Sequence, residues 1–408
     1  MNRIYPAGLT ALACLAALLP DAAHAFDFSY SGFGTVGAAI SDHDVAYQRY
    51  IDDNGTFMRD TLLGLRLDGK FNEQWAVTTQ VVLMASDDED DVLEPQLKWT
   101  MLSYRPANDW LIRLGRLSVG GLLHQQNLDV GVTYDMARLP SEVYLLSSAY
   151  DFDGASLTKT WNAGDFEIAL DGSLGFQSRY YRTYHNGTGR EAYYSADITA
   201  GGLVLTISDY DRTIYRLGWH LSEIDPDDPA GILSKYTYMP LGNGLYTLGT
   251  PEYTPTTMVN SIFLGAQVPL GGFVFTGEAT ALIASDFEAG PPTYSAYVSL
   301  SRKLDKFTPY ITYAQTWTSG LDTWRQVKGA TPVPQYGIAA TTIENAASAM
   351  AVYDQSSWML GTSYSISPQQ KIKAEVMVTH AGERSAMFDD DIAHENVTVF
   401  SLSYAFAF

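Results

Sequence analysis

Little in this chain can close a fold covalently: of 408 residues only one, Cys14, is cysteine. An internal disulfide is thereby excluded, and so is any metal site built on several thiolates. Positive charge is also scarce, with 25 Lys and Arg against 46 Asp and Glu and a formal charge of -21. A nucleic-acid partner needs a basic footprint to displace phosphate counterions, so that class is excluded. Beyond the N-terminus no long uncharged apolar run occurs, and the mean hydropathy is -0.08, which rules out a bundle of transmembrane helices. What the chain does have is 27 Tyr, 34 Gly and 13% aromatics. Such a composition favours many strands joined by many turns.

The N-terminus sets a compartment. Arg3 gives a sparse positive region, Leu9 to Leu19 an apolar one, and Ala23-His24-Ala25 a small-residue exit, the pattern of a secretory signal cleaved after Ala25. The apolar stretch is too short to span a bilayer, and apolar sequence continues past Cys14, which argues against a lipid-modified cysteine. The expected mature chain starts at Phe26 and contains no cysteine.

From there alternation runs the whole length. Phe26, Phe28, Tyr30, Gly32, Gly34, Val36, Ala38 and Ile40 occupy even positions, with mostly Asp, Ser, Thr or Gly between them. The period is two, that of a strand with unlike faces. It returns in Leu63, Leu65, Leu67; in Phe166, Ile168, Leu170; in Tyr215, Leu217, Trp219; in Ile372, Ala374, Val376; and in Phe400, Leu402, Tyr404, Phe406, Phe408. Sixteen such segments fit the mature chain at about 24 residues per strand and connector, where a membrane-crossing strand needs only ~10. The connectors alternate as well. Short ones lie at residues 72–74, 105–109, 162–165, 209–212, 269–272, 304–306 and 367–370; long ones run 42–60, 85–94, 116–151, 178–192, 222–260, 285–292, 318–355 and 380–395, with a helical element expected at Thr341 to Val352. Trp75, Trp110, Trp161, Phe166, Phe273 and Phe307 flank the short connectors, as an aromatic girdle at one membrane interface would.

A soluble sandwich has short connectors at both ends and no reason to gather aromatics at one set of turns. The expected fold is therefore all-β: a closed antiparallel transmembrane barrel of 16 strands, or 14 or 18 because Tyr193 to Ser222 fits more than one register, occupying residues 26–408.

The opening Phe28-Ser29-Tyr30-Ser31-Gly32-Phe33-Gly34, the segment Phe307-Thr308-Pro309-Tyr310-Ile311-Thr312-Tyr313 and the closing strand ending in Phe408 resemble the Gram-negative outer-membrane porin family over the full mature length. The resemblance implies passive diffusion of ions and small hydrophilic solutes through a water-filled channel in the outer membrane. It also implies contact with lipid and lipopolysaccharide, a homotrimer, a C-terminal strand read by the barrel-assembly machinery, and a third loop, about Arg116 to Asp151, folded into the lumen. Gly120-Gly121-Leu122-Leu123 and the text after it lack the P-E-F-G-G-D signature of enterobacterial porins, so no eyelet residue carries over directly.

The lumen residues are instead read from parity. Arg66, Lys70, Lys98 and Arg113, with Arg116 just beyond, form an expected basic wall; Asp129, Tyr134, Asp135, Arg138 and Glu142 are the constriction-loop candidates facing it, an arrangement that favours hydrated polar solutes. Local pairing, as of Arg66 with Asp68, is the plainer alternative. Small outward residues Gly32, Gly34 and Ala38 on the first strand offer room for a close subunit contact.

Catalysis has little support: the mature histidines are scattered, with neither H-E-x-x-H nor G-x-S-x-G, and no cofactor is called for. Besides the general porin, the readings kept are a substrate-selective channel, a surface adhesin or lectin, and a barrel hydrolase using a loop histidine such as His124 or His185. Asp87, Asp88, Glu89, Asp90 and Asp91 offer diffuse divalent-cation binding but no recognised metal spacing. Of the acidic residues, 31 lie in the eight long connectors with 11 basic ones, so nearly all the net charge is expected at one end.

Overall fold

The computed structural model describes residues 27–118, 120–145, 151–228, 234–253, 256–285 and 291–408. The expected signal segment and the end of the third loop, residues 146–150, lie outside them. Sixteen antiparallel strands form one closed barrel: β1 Asp27–Ser41, β2 Leu62–Lys70, β3 Trp75–Ala85, β4 Leu93–Ala107, β5 Trp110–Ser118, β6 Asp151–Ala163, β7 Phe166–His185, β8 Arg190–Asp209, β9 Ile214–Pro226, β10 Thr257–Leu270, β11 Phe273–Ala284, β12 Thr293–Ser301, β13 Phe307–Thr318, β14 Asp354–Ser367, β15 Gln370–Ala381 and β16 Asn396–Ala407. Each pairs with its sequence neighbour, and β1 closes on β16 from Phe33↔Ala407 to Ser41↔Val399, so no strand edge is left open.

Alternation does the sorting. Leu63, Leu65 and Leu67 are exposed on the outer face while Gly64 between them is buried; on β16, Phe400 and Leu402 face out while Val399 and Ser401 are buried. The outward set is apolar and the inward set largely Ser, Thr, Gly and charged residues, the inverse of a soluble protein. Trp110, Trp161, Phe166, Phe273 and Phe307 are exposed beside the short turns, and Trp75 stacks on Tyr104 with ring centroids 4.2 Å apart.

Two expectations change. Residues 178–185 and 190–192, expected as loop, continue β7 and β8, because paired backbone groups extend their hairpin to His185↔Arg190. Gly32 and Gly34 offer no hollow to a neighbouring subunit: a Cβ on either would strike the ring of Phe408 or Phe406, which already lies there.

At the long-loop end, segments from three connectors pack together. The hairpin of Tyr238–Gly242 and Leu245–Leu248 and the helices Asp322–Lys328 and Ala340–Ser348 share a small core of Leu248, Trp324, Val327, Ile343 and Ala347. The β7–β8 turn rests on this cap, where Ser348 Oγ accepts the Asn186 N–H at 3.3 Å.

Candidate functional site

The connector between β5 and β6, loop 3, enters the lumen and is held by the far wall rather than by its own strands. Its Leu122, Met136, Leu139, Val143 and Tyr144 are buried against inward residues of β10 to β15, including Phe263, Tyr297, Tyr310, Met359 and Met377. Tyr47 and Ile51 of the first loop and Phe388 of the last join the same core from above. Close approach is enabled at Gly121, where a Cβ would lie 2.8 Å from the Phe263 ring.

Charged wall residues fix the polar parts. Glu278 on β11 accepts the Leu123 N–H at 2.6 Å, the Tyr144 hydroxyl at 2.5 Å and the Tyr297 hydroxyl at 2.8 Å. Arg216 on β9 donates to Leu122 O at 2.6 Å. On β15, Lys371 pairs with Asp135 at 2.8 Å, Lys373 donates to Met136 O at 2.8 Å with its Nζ 3.8 Å from the Tyr134 ring centroid, and Glu375 accepts from Tyr310, whose oxygen in turn accepts the Ala137 N–H. Glu142 is fully buried, accepting from Ser357 and Gln355 of β14. Arg138 forks onto Asp60 of the first loop at 2.9 and 2.5 Å.

The candidates therefore have roles other than those expected. Asp135, Arg138 and Glu142 are spent on anchoring, and Tyr134 is a platform for Lys373, so these four do not form an acidic rim opposite a basic wall. Burial pushes the Asp129 carboxyl up, with the Lys98 charge opposing. Burial would also raise Asp60, but the Arg138 guanidinium, through charge and hydrogen bonds, together with the Arg59 and Lys373 charges outweighs it and holds the carboxyl below the usual range. His124 is pushed down to about 4, first by burial and then by Arg216, and is neutral at ordinary pH.

The basic wall is paired in place. Arg66 meets Asp68 at 2.8 Å, Lys70 meets Glu73 at 3.1 Å, Lys98 meets Asp151 at 3.6 Å and Arg113 meets Asp171 at 3.6 Å. Opposite charges this close cancel beyond a few ångströms, so no strong transverse field develops. Lys98 is the extra residue of a bulge, since Gln80 opposes Trp99 and Val81 opposes Leu97. Arg116 is a correction: its cross-strand partners Thr100 and Asp153 continue to Phe176, 63% exposed on the outer face, so Arg116 points away from the lumen. Arg66, Lys70 and Arg113 remain inward and line a cavity of about 900 Å³ at the short-turn end, with Asp68 and Arg105.

Sequence reading missed the anchoring wall. The signal was present in Lys371, Lys373 and Glu375, three successive inward positions of one strand that all carry charge. Among the described residues no group of three or more His, Cys, Asp or Glu is placed to hold a metal ion. Within the Asp87–Asp91 run, Asp90 is taken by Arg49 and Arg182.

No protein-family model and no curated protein sequence matches the chain. Solved structures do. OmpT, an outer membrane protein of Vibrio cholerae, in its trimer form, is 12% identical with a TM-score of 0.53 over 94% of this chain and 100% of its own. The anion-selective porin from Comamonas acidovorans is 13% identical with the same TM-score and the same coverage. The outer membrane channel DcaP of Acinetobacter baumannii is 11% identical, TM-score 0.53, over 93% of this chain and 97% of its own. At these identities the likeness is one of fold.

Proposed function

We propose that the chain is an outer-membrane porin, a water-filled channel for passive diffusion of small hydrophilic solutes and ions, with no catalytic role. The observation that carries the reading is a closed 16-stranded barrel, apolar outside, whose third loop is clamped inside the lumen by wall residues dedicated to it. A porin named for anion selectivity and an outer membrane channel share that fold. The signal is cleaved after Ala25, the strand ending in Phe408 is read by the barrel-assembly machinery, and the protein sits among outer-membrane lipid and lipopolysaccharide as a homotrimer. Because Arg66, Lys70 and Arg113 are each paired with an acid, ion preference comes from the acidic mouth and is modest.

Planar-bilayer recording tests this: stepwise conductance with a weakly cation-selective reversal potential is expected, and no channel activity from folded protein would overturn it. A second reading, a substrate-selective channel, is favoured by the charge-lined cavity of about 900 Å³ and by the packed cap over the mouth. It predicts saturable current block by one solute where the general porin predicts none.

A further inference from the structure

The outer face is apolar over most of its circumference, as Ile262, Leu264, Val298, Ile311, Leu360 and Leu402 illustrate. One sector sets an ion pair into that face. Along a single lateral row the outward partners run Tyr30, Leu67, Thr79, Thr100, Arg116, Asp153 and Phe176 and go on to Thr199 of β8 and Glu223 of β9, so four adjacent strands, β3 to β6, present two hydroxyls and an ion pair side by side. The Arg116 and Asp153 side chains are 32% and 45% exposed, and their nearest charged atoms stand 3.8 Å apart. That pair is joined by charge alone, since Arg116 Nε has no hydrogen-bond acceptor.

Height makes the row matter. Arg116 lies six residues above Trp110 on β5, and a tilted strand climbs roughly 2.5 Å per residue, placing it about 15 Å into an apolar band ~25 Å tall. Leu114, Leu157 and Leu174, exposed on the same strands, belong to that band. Lipid tails supply no acceptor there and no counter-charge.

We propose that this row is the contact between copies of the chain, with Arg116 of one copy set against Asp153 of the next. A second copy is the occupant the observations select. It enters the membrane in the same direction and to the same depth, so its own row arrives at the matching height. Rotation about an axis along the membrane normal brings the right side of one row to the left side of the next, so positive meets negative in either a two-fold or a three-fold ring. The inference rests on the barrel being membrane-spanning and not on what it conducts.

The mature chain has no native cysteine if cleavage follows Ala25, so two differently tagged copies, Arg116→Cys in one and Asp153→Cys in the other, are co-expressed and oxidised in the membrane. A disulfide joining the two tags is expected, with none from the control pair Leu264→Cys and Leu360→Cys on the apolar side. A link no more frequent than the control's would overturn the proposal. Independently, Arg116→Asp sets like charges against each other and should convert the unheated oligomer band to a folded, heat-modifiable monomer. Co-expressing it with Asp153→Arg should restore the contacts between unlike chains, all of those in a two-fold pair and two of the three in a three-fold ring, although each chain's internal pair stays broken. An oligomer unaffected by Arg116→Asp would also refute it. Bilayer conductance of the same samples reports separately on the channel reading.

Discussion

Arg138 and Asp60 show how one side-chain pair can hold a loop in a lumen. Both are nearly buried and the fork is complete, so removing one partner strands the other charge in a site with little water, a loss of about 3 kcal/mol. Arg138→Met should therefore loosen loop 3 against the first loop, seen as added open-channel noise and earlier proteolysis within residues 120–145. Acid has a defined effect here. The folded carboxyl of Asp60 titrates below its unfolded value, so its contribution is present above about pH 4 and is lost as pH falls through the lower folded value. Channel noise should rise in acid below about pH 4, and Asp60→Asn should reduce that acid step. His124, pushed down to about 4, adds its own charge in the same acid range, so the step that remains in Asp60→Asn reports on it.

At the scale of elements, β11 and β15 act as the loop's docking strands. Glu278 satisfies three donors at once, two of them from loop 3. Glu278→Ala leaves them unpaired next to Arg216, a cost of roughly 3 kcal/mol that falls on the segment around Leu123. The expected outcome is a fully folded barrel, by heat-modifiable gel mobility, whose single-channel conductance is altered and more variable than the wild type's; unchanged conductance would mean that packing of Leu122 and Tyr144 alone positions the loop. Alternation made the strands legible, but the sequence has no local mark for which wall a long loop will meet. Lys371, Lys373 and Glu375 signalled that β15 touches something polar, while the partner lay more than 200 residues away.

For the whole molecule, charge is divided by height. The basic wall of β2 and β5 pairs its charges, and the acidic excess sits in the long connectors. Within those, Asp90 bridges Arg49 and Arg182, and Asp389 shares Arg182, so part of the acid knits loops together instead of facing solvent. Replacing Asp87, Asp88 and Asp91 with Asn should reduce cation preference, read as a smaller reversal potential in a salt gradient, while leaving the melting temperature nearly unchanged. Asp90→Asn should do the opposite, lowering the melting temperature with a smaller effect on selectivity. A chelator that leaves melting unaltered would exclude divalent bridging at the acidic loops.

The period-two pattern, the alternating connector lengths and the aromatics at short turns determined the barrel and its two unlike ends, whereas the strand number, open between 14, 16 and 18 in the sequence, was settled at 16 by strand pairing. Those three patterns could do so because each is a local property of a chain whose side chains must face either lipid or lumen. The helix expected at Thr341 to Val352 is present at Ala340–Ser348 for the same reason. Only the closed structure decided where loop 3 lies, which charges neutralise one another and that Arg116 faces outward. A charge's role depends on the register of neighbouring strands and on what crosses the lumen toward it, and a one-residue step past a strand's obvious end changes the face it belongs to.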